Sequence, residues 1–415
     1  MRVKFAALGM VMLWPLALSQ AQSDGPLPPD LQVWSDVRLA YSSTGKEWLD
    51  GGSNKTRYGA SEASGFDAEL ADFSVLWTPT LSAALSAHLH LQAGPDQAVD
   101  LGLVEGFVRY RPLPKAGWRL SAKAGRFFPP VSFEHDGPGW GLTRTLTPSA
   151  LNSWIGEEVA VVGTEARAAK RFGDHQIDLR AAVFGYNDTA GALIAYRGWA
   201  MHDIKSALHG KFSVPDRVAL EPALSRQARV TETARELDDQ LGFYTALRWR
   251  YADQSTWALT LYDNLADSEV FQNGQYGWRT QFVSLGGHHQ ATESIELIAQ
   301  GLVGRTVMGP RIWPNGTHTT ESEFATAYLL GTWHVSDSTL LSGRVDSFRV
   351  EDLTGWQSWT DEQGWSVTTA WRHKPKAHLE IGAELLYLEH DRDLTRTTGD
   401  QPSGVQVQWM LKTAF

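Results

Sequence analysis

The 415-residue chain has no cysteine at all. That excludes a disulfide framework, a zinc–thiolate centre and a thiol nucleophile. It also has no apolar run long enough to span a bilayer as a helix, which takes about 20 residues. The longest, residues 5–18, lies at the N-terminus, and mean hydropathy is −0.28. Nor is there an excess of base: 37 Lys and Arg stand against 47 Asp and Glu, a net charge of −10. A nucleic-acid binder would show a basic face, so none is expected as partner. The sequence offers no G-x-S-x-G, H-E-x-x-H or P-loop pattern. No cofactor is expected.

What the chain does have is a leader, aromatics and period-two alternation. Arg2 and Lys4 precede the apolar stretch, and Ser19-Gln20-Ala21 is a small-x-small cleavage site. Residues 1–21 therefore read as a secretory signal peptide and 22–415 as the exported domain. Losing two basic residues and no acid takes the net charge to −12. Eighteen Trp and eleven Tyr are many for this length.

In the stretch 405–415, Val405, Val407, Trp409, Leu411, Thr413 and Phe415 alternate with Gln406, Gln408, Met410, Lys412 and Ala414. One face is apolar and the other mostly polar, and the strand ends on an aromatic. Such a strand suits a barrel wall between lipid and water. Sixteen segments have strand character: 30–42, 65–77, 83–93, 101–112, 118–128, 158–169, 176–186, 241–251, 256–264, 278–287, 293–306, 322–334, 339–349, 363–372, 378–389 and 404–415. Odd-numbered strands mostly end in long loops and even-numbered ones in short links, such as 112–117, 170–175 and 336–338. Transmembrane barrels segregate their connections in this way.

The expected fold is thus all-β: a transmembrane antiparallel β-barrel of 16 strands in the bacterial outer membrane, with both ends on the periplasmic side. Trp77, Tyr110, Trp118, Trp249, Tyr251, Trp257 and Trp371 flank the short links, as an interfacial girdle would. The lipid of that membrane is the first partner.

Two connections exceed ordinary loops, 129–157 and 187–240. Loops of that size in a compact protein usually carry function or are disordered. A sixteen-stranded barrel has an aqueous lumen for a loop to narrow. The first is the expected pore-constricting loop, with Glu134, His135, Asp136 and Arg144 as its candidate residues. With the polar parity taken as lumenal, strands four to eight present Arg109, Arg111, Arg119, Lys123, Arg167, Arg180, Arg248 and Arg250. Their neighbouring acids are Glu105, Glu165 and Asp178, and strand fifteen faces them with Glu380 and Glu384. A basic wall inside a low-dielectric tube concentrates anions. His88 and His90 share a strand face but lack a third ligand, so no metal is expected.

The run Gly125-Arg126-Phe127-Phe128-Pro129-Pro130-Val131-Ser132-Phe133-Glu134 resembles the strand-five end and third loop of the phosphate-selective porin O/P family. So does Pro148-Ser149-Ala150-Leu151-Asn152-Ser153-Trp154-Ile155-Gly156-Glu157-Glu158 leading into strand six. The resemblance implies a homotrimeric sixteen-stranded porin. The acids Glu134 and Asp136 depart from the basic constriction that phosphate selectivity rests on. The expected function is a water-filled channel for passive diffusion of small hydrophilic solutes, anion-preferring and not enzymatic. The alternative is an outer-membrane barrel enzyme or a surface substrate-binding protein, which a plugged barrel with a catalytic cluster at its rim would favour.

Overall fold

The computed structural model describes residues 2–3, 28–45, 49, 52, 54–59, 64–94, 101–214, 226–312, 316–355, 360–392 and 402–415. The expected leader, 1–21, lies outside them apart from Arg2–Val3, which pairs in parallel with Asp67 and Ala68.

Sixteen antiparallel strands form the wall: β1 Leu31–Ser42, β2 Gly65–Trp77, β3 Leu85–Ala93, β4 Gly102–Tyr110, β5 Trp118–Phe127, β6 Val161–Phe172, β7 His175–Gly185, β8 Gly242–Tyr251, β9 Ser255–Asp263, β10 Arg279–Gln290, β11 Ile295–Arg311, β12 His318–Ser336, β13 Thr339–Asp352, β14 Glu362–Lys376, β15 Leu379–Arg392 and β16 Ser403–Ala414. Each pairs with its chain neighbours, and β1 pairs with β16 from Trp34↔Ala414 to Ser42↔Gln406, closing the sheet. Closure satisfies every ladder edge inside lipid, where an unpaired amide would cost several kcal/mol.

The connections alternate as expected. The links 173–174, 252–254, 291–294, 337–338 and 377–378 are tight, whereas 43–64, 128–160 and 186–241 are long. Strand six starts later than its alternation suggested because residues 150–158 are helical. Strands β10–β13 run past the expected ends.

Burial along the strands reads out the two faces. In β8, Phe243, Leu247 and Trp249 are exposed while Tyr244 and Ala246 are buried. The outer face carries Leu179, Leu259, Leu285, Leu297, Leu329, Val345, Leu385 and Leu411, all exposed. On a sheet already closed, such a band is a surface for lipid tails. At its short-turn edge, Trp77, Tyr110, Trp118, Trp249, Tyr251 and Trp257 are exposed and Trp371 is half-buried. Trp249 and Trp257 stand opposite each other on β8 and β9. This is the expected aromatic girdle.

The core of the molecule is inside the barrel. The loop 128–160 (loop three) and the loop 186–241 (loop four) both turn inward. Loop three carries helix α1, Ala150–Glu158, and loop four carries helix α2, Ala192–Arg197; every residue of both is buried. Trp154 meets Phe282, Phe324 and Trp199 edge-on at 5.2–6.0 Å between centroids. Around it Leu151, Ile155, Phe184, Tyr262, Leu302, Tyr328, Phe348 and Leu386 form one apolar cluster joining helix and wall. Among the described residues, the inward positions in the outer half of the wall are packed against these loops. Loop three crosses the inside of the barrel, and the described part of loop four packs beside it.

Candidate functional site: a basic basin beneath a loop plug

Loop three is fixed by backbone geometry first. Ser149 caps α1, its Oγ accepting from Asn152 N at 3.2 Å. A cap of this kind satisfies an otherwise orphaned helix donor and is worth about 1 kcal/mol. The loop then meets charged side chains of the far wall. Arg344 on β13 is fully buried and donates to Glu134 Oε1 (3.0 Å), Thr147 O (2.7 Å), Pro148 O (2.9 Å) and Asp346 Oδ2 (2.8 Å). Arg372 on β14 donates to Leu142 O and Thr145 O. Glu384 on β15 accepts from Leu146 N and Thr147 N at 2.6 and 3.1 Å. A carbonyl-rich loop offers acceptors and a carboxylate takes its free amides, so these residue types are what a crossing loop needs.

The four candidate residues of loop three lie along this crossing. Glu134 is buried on Arg344, Ser149 and Asn152. Asp136 is exposed and pairs with Arg144 at 2.7 Å. Arg144 also grips Glu296 of β11, at 2.8 and 2.9 Å. His135 stacks on Trp140 with centroids 3.6 Å apart, and its Nδ1 lies 2.9 Å from Ser132 Oγ. Burial and the Lys205 charge hold His135 well below the usual imidazole range. Ser132 Oγ also accepts from Glu134 N and His135 N, which makes it a turn-forming hydroxyl.

Below this crossing, toward the short turns, lie the residues of β4–β8 named from the sequence as a candidate basic wall. Arg109, Lys123, Arg167, Arg180, Arg248 and Arg250 are half-buried there, and Arg111 and Arg119 are exposed at its lower edge. Arg167 and Arg180 share Asp178 at 2.5 and 3.2 Å, and Lys123 lies 3.6 Å from Glu165. Arg119 donates to Gln176 at 2.7 Å. Arg109 and Arg248 instead sit over the rings of Phe107 and Phe133, at 5.1 and 5.3 Å. Among the described residues, Arg109, Arg111, Arg248 and Arg250 have no carboxylate partner. Arg109, Arg111, Lys123, Arg167, Arg180 and Glu165 line a cavity of about 190 Å³.

Two features differ from the sequence reading. Glu380 and Glu384 do not stand free to oppose this wall. Glu380 is held by Arg372 at 2.5 Å, and Glu384 is engaged by the loop-three amides. His88 lies near Glu105, and buried His90 near Ser74 and the Trp34 ring, so the two histidines have separate surroundings. The sequence reading also missed the interior charges of the far wall: Arg38, Glu296, Arg344, Asp346, Glu362 and Arg392. A repeated pattern was there to be seen. Asp36/Arg38, Asp178/Arg180 and Arg344/Asp346 are each two apart on one inward face, and each makes an ion pair.

Loop four grips two buried acids of loop three, Glu157 and Glu158. Arg197 of α2 pairs with Glu157 of α1 at 2.6 Å. The adjacent Glu158 accepts from Trp154 Nε1 (2.6 Å), Leu193 N (3.0 Å) and Gly191 N (3.2 Å). Burial, reinforced by the Glu157 charge, pushes the Glu158 carboxyl up to about 7. Burial acts on Glu157 too, but Arg197 and His202 more than reverse it and hold it at about 2. Gly198 ends α2 at φ +78°; a Cβ there would collide with the Glu362 carboxylate and the Arg392 guanidinium.

Comparison with solved structures places this architecture. The outer-membrane channel DcaP of Acinetobacter baumannii superposes with a TM-score of 0.56 at 9% identity, over 93% of this chain and 96% of that one. The anion-selective porin from Comamonas acidovorans gives 0.52 at 11%, over 93% and 98%. A loop-deletion mutant of OmpT, an outer-membrane protein of Vibrio cholerae, gives 0.51 at 10%, over 93% and 99%. The fold is that of outer-membrane porins and channels. At these identities the likeness is one of fold. No family model matches the chain, and no curated protein does. The lipid-facing band, the girdle and this fold place the barrel in the bacterial outer membrane.

Proposed function

We propose that the protein is an outer-membrane diffusion channel for small hydrophilic solutes, with a preference for small anions. The observation that carries this reading is the basin under loop three, where, among the described residues, four arginines have no carboxylate within ion-pair distance. Their charge is not cancelled by the loop: Glu134 is held by Arg344, and Asp136 by Arg144. Distant surface carboxylates, which make the whole chain acidic, are screened within about 8 Å at physiological salt. Charges inside the tube are screened less, so the local surplus governs which ions enter. Phosphate specificity, which the local resemblance to the phosphate-selective family suggests, would fall on the same arginines. The same resemblance suggests a homotrimer, which crosslinking of intact outer membranes would detect.

An enzyme is the weaker reading. Ser132 and His135 have the spacing of a nucleophile and base. However, the hydroxyl serves two backbone amides and the imidazole is covered by Trp140.

The test is the reversal potential across a planar bilayer in a KCl gradient. The wild type should favour chloride, and Arg109→Ala with Arg248→Ala should move the potential toward zero. Cation preference in the wild type, or no shift on removing both arginines, would show that the wall is structural only.

A further inference from the structure

Three loops meet at one buried group of charges beside the outer ends of β14 and β15. Lys55, from the first loop, is 1% exposed; its Nζ lies 2.6 Å from Glu362 Oε1 and donates to Arg197 O at 2.5 Å. Glu362 of β14 also holds Arg392 of β15 at 3.1 Å and accepts from Trp199 N at 3.0 Å. Arg392 donates to Ala195 O and Tyr196 O at the end of α2. Arg197 continues to Glu157 of α1. A single chain of contacts therefore runs from loop three through loop four and loop one to the wall. The first loop adds a backbone hydrogen bond, Met201 N donating to Lys55 O at 2.8 Å, and an ion pair, Arg57 with Asp203 at 2.7 Å.

This arrangement differs from the apolar packing around Trp154. Buried ion pairs add little net stability over apolar residues, but losing one partner strands a charge in low dielectric. Such a group makes docking all-or-none. It also places the control in a short stretch, 54–57, that belongs to neither plug helix. We propose that this stretch is a latch: Lys55 locks loop four into the lumen, and its withdrawal opens the way from the basic basin to the outside. The latch rests on the channel reading above, since an opened plug matters only if solutes cross.

The absence of native cysteine makes a direct test simple. Ala195, on α2, is fully buried, so Ala195→Cys gives a single thiol hidden while loop four is docked. The protein is reconstituted into liposomes and treated with a membrane-impermeant maleimide, in the Lys55, Lys55→Met and Lys55→Arg backgrounds. Labelling should be at least about 100-fold faster with Met than with Lys, the scale expected when a buried charge loses its partner. Arg should restore slow labelling, and single-channel conductance should rise with Met. Equal labelling rates for Lys and Met, in barrels that keep heat-modifiable gel mobility, overturn the latch and leave the channel reading standing. Fast labelling without conductance in any background supports the latch and sinks the channel reading. If Lys55→Met does not insert, Lys55→Gln keeps a donor toward Glu362 without the charge and leaves the Arg392 pair intact; there, too, fast labelling supports the latch and unchanged labelling overturns it.

Discussion

Replacing Arg344 by alanine should release loop three from the wall without opening the barrel. The side chain is fully buried, and its guanidinium reaches Glu134, Asp346, Thr147 O and Pro148 O. Alanine would leave Glu134 with only Ser149 and Asn152 as donors, and two loop carbonyls without theirs. Removing one partner of a buried pair typically costs about 3–5 kcal/mol. The ladder hydrogen bonds of β12–β14 do not depend on this side chain, so the loss falls on loop docking. The assay is amide hydrogen exchange at Leu146, Thr147, Ser149 and Ala150, whose N–H groups are bonded to Glu384, Glu134 and Asp346. Each 1.4 kcal/mol is a factor of ten, so exchange there should quicken by about 100- to 4,000-fold, with the strand amides unchanged. Adding Glu134→Gln should recover part of the loss, because that variant removes the stranded charge. Acceleration below tenfold in Arg344→Ala would refute the view that this arginine anchors the loop.

Further outcomes follow from the same geometry. Glu158 is raised from an ordinary value of 4.5 to about 7 when loop four is docked, so its protonation favours docking below pH 4.5 and that support fades as pH rises through 7. Burial, the Glu157 charge, Arg197, Trp154 and the Leu193 amide all act on it. Glu158→Gln should remove the pH dependence of loop-four docking between pH 4.5 and 7, read as Ala195→Cys labelling relative to a free thiol at the same pH and on the order of 3 kcal/mol in the parent; an unchanged profile counts against the assignment. Gly198→Ala should undock α2, since its Cβ meets Glu362 and Arg392 and φ is +78°; unaltered proteolytic resistance of loop four would contradict this. Arg144→Ala removes one cation and leaves Asp136 with Thr143 and Glu296 with His288 and His334, so the reversal potential should move toward cation preference. No movement would place both acids off the ion path.

The wall was legible because a strand facing lipid on one side and water or loop on the other must alternate, and alternation survives in sequence. All sixteen strands were located, several by clear alternation, though the tenth and twelfth showed no clear register, and the short turns showed which edge was which. Loop three was legible from its length and from local likeness. Loop four was noted for its length and its polar residues Arg197, Trp199, His202, Asp203 and Lys205, yet its burial was not expected. Its helix has six residues, too short for a clear 3.6-residue period. Its charges are neutralised by partners such as Glu157 and Arg38 that lie far away in sequence. The basic wall was found by parity alone, whereas Arg344 and Arg392 look like wall residues of the same kind until the loop carbonyls they serve are seen.

The seam between β1 and β16 has a consequence for how the molecule is made. Ser35 and Thr413 touch across it, 378 positions apart. No shorter-range pairing can substitute, so the cylinder stays an open curl with two raw edges until the final strand is delivered. Such edges invite pairing with any exposed strand nearby, and contacts this remote in sequence form slowly. The wall therefore becomes edge-free only in its last pairing step, when β1 and β16 meet.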